Sequence, residues 1–280
     1  MVGITDNERN WVLENLNGVI GPKLISVTNN GDGMIMSRVG THDLSDIMHD
    51  LTKNEFNDLL NQFFSELIQL HKLGFVHRDL KPSNIMMTQK TSQGGLTYAG
   101  IIDFGLTLRI NRKQNEKRAL GGTAPYCHRS QLKGMEDIRA HPGQDWYAAG
   151  LSMMHTILGG SHTTFEAGLA GGDTMSQLRP IMAEIWPHGP TDQLLNFFQL
   201  CASSESNNPE KLDELLEDGI AAFRSLSALD SISKDNIAGF QRNIDKRPKR
   251  HDVLIIIDST GSMESQIEDL RNTFQEVVET

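Results

Sequence analysis

The stretch Gly74 to Met87 reads GFVHRDLKPSNIMM and sets Asp79, Lys81 and Asn84 between two short apolar runs. Nineteen residues after Asn84 comes Asp103, followed by Phe104 and Gly105. Phosphoryl transfer calls on such groups: a carboxylate to orient an attacking hydroxyl and take its proton, and oxygen ligands to hold magnesium on nucleotide phosphates. The question becomes which elements hold these groups in register.

Upstream, Leu13, Leu16, Val19 and Ile20 predict a helix that Gly21-Pro22 ends. Lys23 to Val27 and Met34 to Val39 then read as two strands joined across residues 29–33. Thr52 and Glu55 form a capping-box pattern ahead of Phe56, Leu59, Leu60, Phe63, Leu67 and Leu70, which recur at helical spacing and predict a core-facing stripe. Ile85 to Thr88 and Tyr98 to Ile102 read as strands. Helices are expected over Asp145 to Leu158, Thr174 to Trp186, Thr191 to Cys201, Pro209 to Glu217 and Ile220 to Leu229, so the second half is mostly helical. The charged, proline-bearing run Asp245 to Arg250 reads as a linker. Beyond it, Val253 to Ile257 reads as a buried strand and the residues from Ser265 as an amphipathic helix.

Bulk properties narrow the class. At 280 residues and 38% apolar content the chain is long enough for a large core. No apolar run approaches the roughly 18 residues of a membrane span, and no export signal opens the chain, so a cytoplasmic protein without membrane association is expected. Cys127 and Cys201 read as ordinary reduced thiols. The net charge of −10 argues against nucleic-acid binding. One basic run, with Arg109, Arg112, Lys113, Lys117 and Arg118 around the single acid Glu116, points to an acidic docking surface on a partner.

His77-Arg78-Asp79-Leu80-Lys81-Pro82-Ser83-Asn84 with Asp103-Phe104-Gly105 resembles the catalytic loop and metal-binding motif of eukaryotic-type serine/threonine protein kinases. Gly122-Thr123-Ala124-Pro125-Tyr126 resembles the end of that family's activation segment, and Asp145 to Gly150 its D-x-W-S-x-G motif. The resemblance runs from about residue 5 to 228. It implies Asp79 as base, Lys81 on the transferred phosphoryl group, Asn84 and Asp103 on magnesium, and Thr123 against the base. It also places Met36, Ser37, Val39 and Asp43 at the ATP nucleoside, with Met36 as gatekeeper. Asp145 caps the catalytic loop's backbone from the start of a buried helix, and His77, Arg78, Phe104, Gly105 and Gly150 are structural, as is Glu8, at the position of the helix Glu. Asp258-Ser259-Thr260-Gly261-Ser262 resembles the metal motif of von Willebrand factor A domains, which implies Asp258, Thr260 and Ser262 as magnesium ligands.

The sequence also departs from the family pattern. His128-Arg129-Ser130 stands where the family has Ala-Pro-Glu, and Leu212 stands where that Glu's Arg partner belongs, so both halves of a buried ion pair are lost together. No Ser, Thr or Tyr lies between Thr107 and Thr123, so activity without activation-loop phosphorylation is expected. The glycine-rich hairpin and strand Lys that cover the phosphates are not found before Glu8; Gly31-Asp32-Gly33 and Lys23 do not replace them.

The expected fold is α+β and kinase-like, a mostly helical C-lobe with a truncated β N-lobe, followed by a strand-helix fragment of an α/β domain. The expected boundaries are 1–40 for the partial N-lobe, 41–230 for the C-lobe, 231–250 for the linker and 251–280 for the A-like unit. The expected activity is transfer of the ATP γ-phosphate to a protein hydroxyl, with ATP and Mg2+ as cofactors, impaired in the isolated chain unless an N-terminal segment or neighbouring chain completes it. The competing readings are a pseudokinase scaffold that binds protein partners, a small-molecule phosphotransferase, and a metal-dependent adhesion module.

Overall fold

The structure is a computed structural model that describes residues 16, 18–27, 34–48, 50–89, 95–110, 122–123, 126–132, 140–157, 179, 182–183, 189–202, 212–214 and 216–228. The chain divides into a unit spanning Met1–Arg247 and one spanning Pro248–Thr280. The second unit lies wholly outside the described residues, as do Glu8, Asp258, Thr260, Ser262 and the run Arg112 to Arg118.

A hairpin opens the described part: β1 (Leu24–Val27) pairs antiparallel with β2 (Met34–Met36), Val27 opposite Met34. The second strand stops at Met36, three residues short of the expected Val39. There the backbone leaves the ladder: Ser37 N donates to Lys23 O (2.8 Å) and Ser37 Oγ accepts from Lys23 N (2.8 Å), which closes the pairing.

After β3 (His42–Asp43) and the single-turn α1 (Leu44–Ile47) comes α2 (Lys53–Lys72), the longest described helix. Its start is the expected capping box: Thr52 N donates to Glu55 Oε2 (2.8 Å) while Thr52 Oγ1 accepts from Glu55 N (3.4 Å). Phe56, Leu59, Leu60, Phe63, Leu67 and Leu70 are buried, as their spacing predicts, together with Phe64 and His71. Burial of large apolar side chains at about 1.5–3 kcal/mol each is what holds this helix against the strand Leu96–Ile101 and the helical half of the molecule. The helix ends at Lys72 with Leu73 as C-cap, and Gly74, with a φ of +85°, turns the chain into the catalytic stretch.

Two antiparallel pairings bracket that stretch. Before it stands β4 (Phe75–Val76), which pairs with β7 (Leu108–Arg109), Val76 opposite Leu108. After it stands β5 (Ile85–Gln89), which pairs on one edge with β3 and on the other with β6 (Leu96–Ile101). The loop 77–84 and the loop 102–107 are thus each held at both ends by strands that also hold the other loop.

Among the described residues the helical half shows α3 (Arg129–Leu132), α4 (Pro142–Ile157), α5 (Thr191–Ala202) and α6 (Glu217–Ala228). Helix α4 begins three residues before the expected Asp145, because Pro142 is preorganised for a first helical position. Asp145 therefore sits inside the first turn. Gly150 lets α4 approach α5, since a Cβ there would lie 2.7 Å from Phe197 Cε1 and 2.9 Å from Phe198 Cε1. Trp146 fills the centre, edge-on to Phe64 at 5.3 Å. Helix α6 starts at Glu217, earlier than the expected Ile220, and the helix expected over Thr174 to Trp186 lies mostly outside the described residues. Cys127 and Cys201 form no disulfide and are buried; burial pushes the Cys127 thiol up to about 12 and the Cys201 thiol well above its usual range. No helix among the described residues is long and apolar enough to cross a membrane.

Candidate active site

The site is built outward from one buried carboxylate. Asp145, fully buried on α4, accepts from His77 N (2.7 Å) and Arg78 N (2.7 Å) and contacts His71 Nε2 (3.0 Å). Two backbone amides that no strand or helix would satisfy thus find an acceptor. Arg78 needs this support, because its φ of +72° is a left-handed conformation that a side chain disfavours. His71 carried a signal in the sequence: it falls on the apolar stripe of α2, where a polar residue must have a partner.

Asp79 follows, its carboxylate aimed by neighbours on both oxygens. Lys81 Nζ donates to Oδ2 (2.8 Å) and Thr123 Oγ1 donates to Oδ1 (2.9 Å), while Lys81 Nζ also donates to Thr123 Oγ1 (2.8 Å). Asn84 Nδ2 donates to Asp79 O (2.8 Å), which fixes the amide and leaves its carbonyl oxygen for a cation or donor. His77 links the two loops: Asp79 N donates to its Nδ1 (3.3 Å), so Nε2 carries the proton and donates to Ile102 O (3.0 Å). Burial, opposed by the charge of Asp145, lowers the His77 pKa and keeps that tautomer neutral.

Asp103 stands one residue past the bond from Ile102 N to Asn84 O (3.0 Å). Its φ of +65° is left-handed, and its exposed carboxylate accepts only a long bond from Gly105 N (3.3 Å) among its described contacts. Phe104 turns inward, its ring 5.0 Å from that of His77. Gly21 lies against this ring: a Cβ there would sit 2.3 Å from Phe104 Cε2. Gly21 N donates to Glu66 Oε1 (3.2 Å), and Glu66 Oε2 accepts from Tyr98 OH, which ties the segment before the hairpin to α2 and β6. Burial holds the Glu66 carboxyl above the usual carboxylate range. Gly21→Ala combines the clash with a φ of +70°, so a loss of about 2–4 kcal/mol is expected in urea unfolding, with Phe104 displaced.

The residues expected at the nucleoside lie along the connection from β2 to α1. Met36 ends β2 at 42% exposure, Ser37 is held by Lys23, and Val39 packs beside Gly100, whose added Cβ would lie 3.1 Å from Val39 Cγ1. Asp43 pairs across the sheet with Met86, two residues past Asn84, and caps α1 by accepting from Asp46 N (3.2 Å).

At the other side, Ser130 occupies the place of the absent Glu. Its hydroxyl meets Gln144 Nε2 (3.2 Å) and His128 Nδ1 (2.7 Å), and Leu212 is fully buried among apolar side chains. Gln131 extends this junction: its Nε2 donates to Arg78 O (2.8 Å) and its Oε1 accepts from His128 N (3.3 Å). Glu66, Gln131 and Gln144 carried no sequence signal, since the contacts that matter here, to Gly21 and Tyr98, to Arg78 and to Ser130, join positions at no periodic spacing.

A family model described as the protein kinase domain matches residues 21–214, which contain the loops just described. The chain belongs to that family. This kinase is 37% identical over 93 residues to the serine/threonine-protein kinase mrck-1 of Caenorhabditis elegans, a match covering 32% of the chain and 6% of the relative. It is 29% identical over 109 residues to the serine/threonine-protein kinase MRCK gamma of Mus musculus, covering 36% and 7%. It is 35% identical over 86 residues to the serine/threonine-protein kinase A of Synechocystis, covering 30% and 15%. The chain thus spans a small part of these relatives' length. The protein kinase family uses ATP together with a divalent metal.

The donor set at the kinase site fits magnesium. A carboxylate on Asp103 and a carboxamide oxygen on Asn84 are hard oxygen donors, and magnesium takes one or two such protein ligands with phosphate and water completing its shell. Among the described residues no group of three or more His, Cys, Asp or Glu forms a metal cage, so no competing cluster is described.

Proposed function

We propose that this chain transfers the γ-phosphate of ATP to a serine or threonine hydroxyl of a protein. The observation that carries the reading is the Asp79 carboxylate held between Lys81 Nζ and Thr123 Oγ1, with Asn84 bonded behind it. Asp79 orients the incoming hydroxyl and accepts its proton as the hydroxyl oxygen bonds to phosphorus and ADP departs. Lys81 places its ammonium beside the negative charge of the transferred group. Asn84 and Asp103 hold the metal, which when bound with ATP neutralises the phosphates. Met36, Ser37, Val39 and Asp43 line the nucleoside.

Phosphorylation of the loop is not called on. Arg78 is buried and its Nη1 already donates to Leu106 O (3.3 Å), so its guanidinium has a partner without a phosphate. The basic run beginning at Arg109 favours a substrate with an acidic surface.

A scaffold reading draws on one observation: Ile25 and Ile35 of the hairpin are 62% and 54% exposed, an apolar face that a protein partner would cover. A magnesium-dependent thermal shift with ATP decides between them. The enzyme reading expects a shift that disappears in Asp103→Asn; no shift at millimolar ATP selects the scaffold.

A further inference from the structure

Gln131 belongs to no motif, yet it touches Arg78, one of the two described non-glycine residues with a left-handed backbone. The peptide plane joining Arg78 to Asp79 is held at both ends: its oxygen accepts from Gln131 Nε2 (2.8 Å) and its N–H donates to His77 Nδ1 (3.3 Å). The preceding plane is held by Asp145 through Arg78 N (2.7 Å). Arg78 has a φ of +72°, so without these partners its backbone would relax toward ordinary values and swing the next residue, Asp79. Both Gln131 and the atoms it joins are buried, and water cannot replace the amide.

The packing around this bond is specific. A Cβ on Gly122 would lie 2.9 Å from Arg78 O, 3.3 Å from Gln131 Nε2 and 2.4 Å from Cys127 Sγ, so the backbone next to Thr123 is pressed against the same link. The other end of the amide, Oε1, accepts from His128 N (3.3 Å), on the segment that follows Thr123. One side chain therefore spans the loop bearing Asp79 and Lys81 and the segment bearing Thr123, the three groups that bond one another.

We infer that Gln131 is a positioning residue for phosphoryl transfer: its amide locks the Arg78–Asp79 peptide plane to the segment carrying Thr123 and thereby sets the aim of the Asp79 carboxylate. This rests on the kinase reading above. An isosteric apolar side chain keeps the volume and removes both hydrogen bonds, which isolates the amide from mere packing. Misplacing a reacting group by a fraction of an ångström is expected to cost about tenfold or more in rate.

The test uses Gln131→Met in the full chain, with transfer kinetics, thermal unfolding and hydrogen exchange of the Asp79 amide measured together. The expected result is a kcat at least about tenfold lower, an unchanged KM for ATP, and faster exchange at Asp79. Unchanged kcat with an active parent chain overturns the inference, as does unchanged exchange at Asp79. If the parent chain transfers no phosphate, the kinase reading fails and kcat is silent, but faster exchange still shows the lock and unchanged exchange still removes it. Should Gln131→Met fold poorly, Gln131→Asn, which keeps the amide but shortens its reach, is read by the same criteria; failure of both to fold makes the residue a structural one and overturns the inference.

Discussion

Asp145→Ala is expected to destabilise this kinase by about 3–5 kcal/mol, the largest single loss of stability at the site, read as a lower urea midpoint at unchanged slope. The carboxylate is wholly buried and serves His77 N, Arg78 N and His71 Nε2 at once. Truncation leaves these groups in a dry interior, and each unsatisfied one costs about 1–3 kcal/mol. Asp145→Asn should lose less, because an amide oxygen at the Oδ2 position still accepts from His77 N and meets His71 Nε2, and only Arg78 N is left facing the new NH2. A midpoint for Asp145→Ala within about 0.5 kcal/mol of the parent would show that the loop's amides have other partners.

Asp79→Asn is expected to lower phosphoryl transfer by about 10²–10⁴-fold while leaving the magnesium-ATP thermal shift in place. The substitution keeps the volume and one oxygen, so Thr123 Oγ1 can still donate to it at the position of Oδ1. What goes is the basic oxygen that Lys81 now holds at 2.8 Å and that would take the hydroxyl proton. This variant separates the two halves of the function, since Asp103→Asn should abolish the shift and Asp79→Asn should not. Transfer that survives Asp79→Asn within about threefold would remove Asp79 as the base.

The long helix and the loops around it were legible because each leaves a local mark. Thr52 and Glu55 sit at capping-box spacing, the apolar stripe of α2 repeats with the helical period, and the polar residues of 77–84 recur in a fixed order. The two-residue strands β3, β4 and β7 left no such mark, since they are too short to show alternation. Helix α4 was placed late because the reading began at the charged Asp145 and passed over Pro142. The buried polar groups around Arg78 show the same division. His71 is a polar residue on a periodic apolar stripe, a mark the sequence carries though the sequence reading did not use it, whereas Gln131 reaches Arg78 across 53 positions of sequence with nothing periodic to announce it. Gly21 is similar, because only the folded chain brings Phe104 onto it.

The uncharged junction at Ser130 has a consequence for experiments in salt. Hydroxyl, amide and imidazole groups hold the end of the Thr123 segment to α4 where an ion pair is expected from the family pattern. Mobile ions screen charge pairs but take little from hydrogen bonds between neutral groups. Raising ionic strength should therefore leave this joint intact while it weakens attraction to the basic run, so a fall in rate with added salt would report on the capture of the substrate protein and not on a loosening of the catalytic frame.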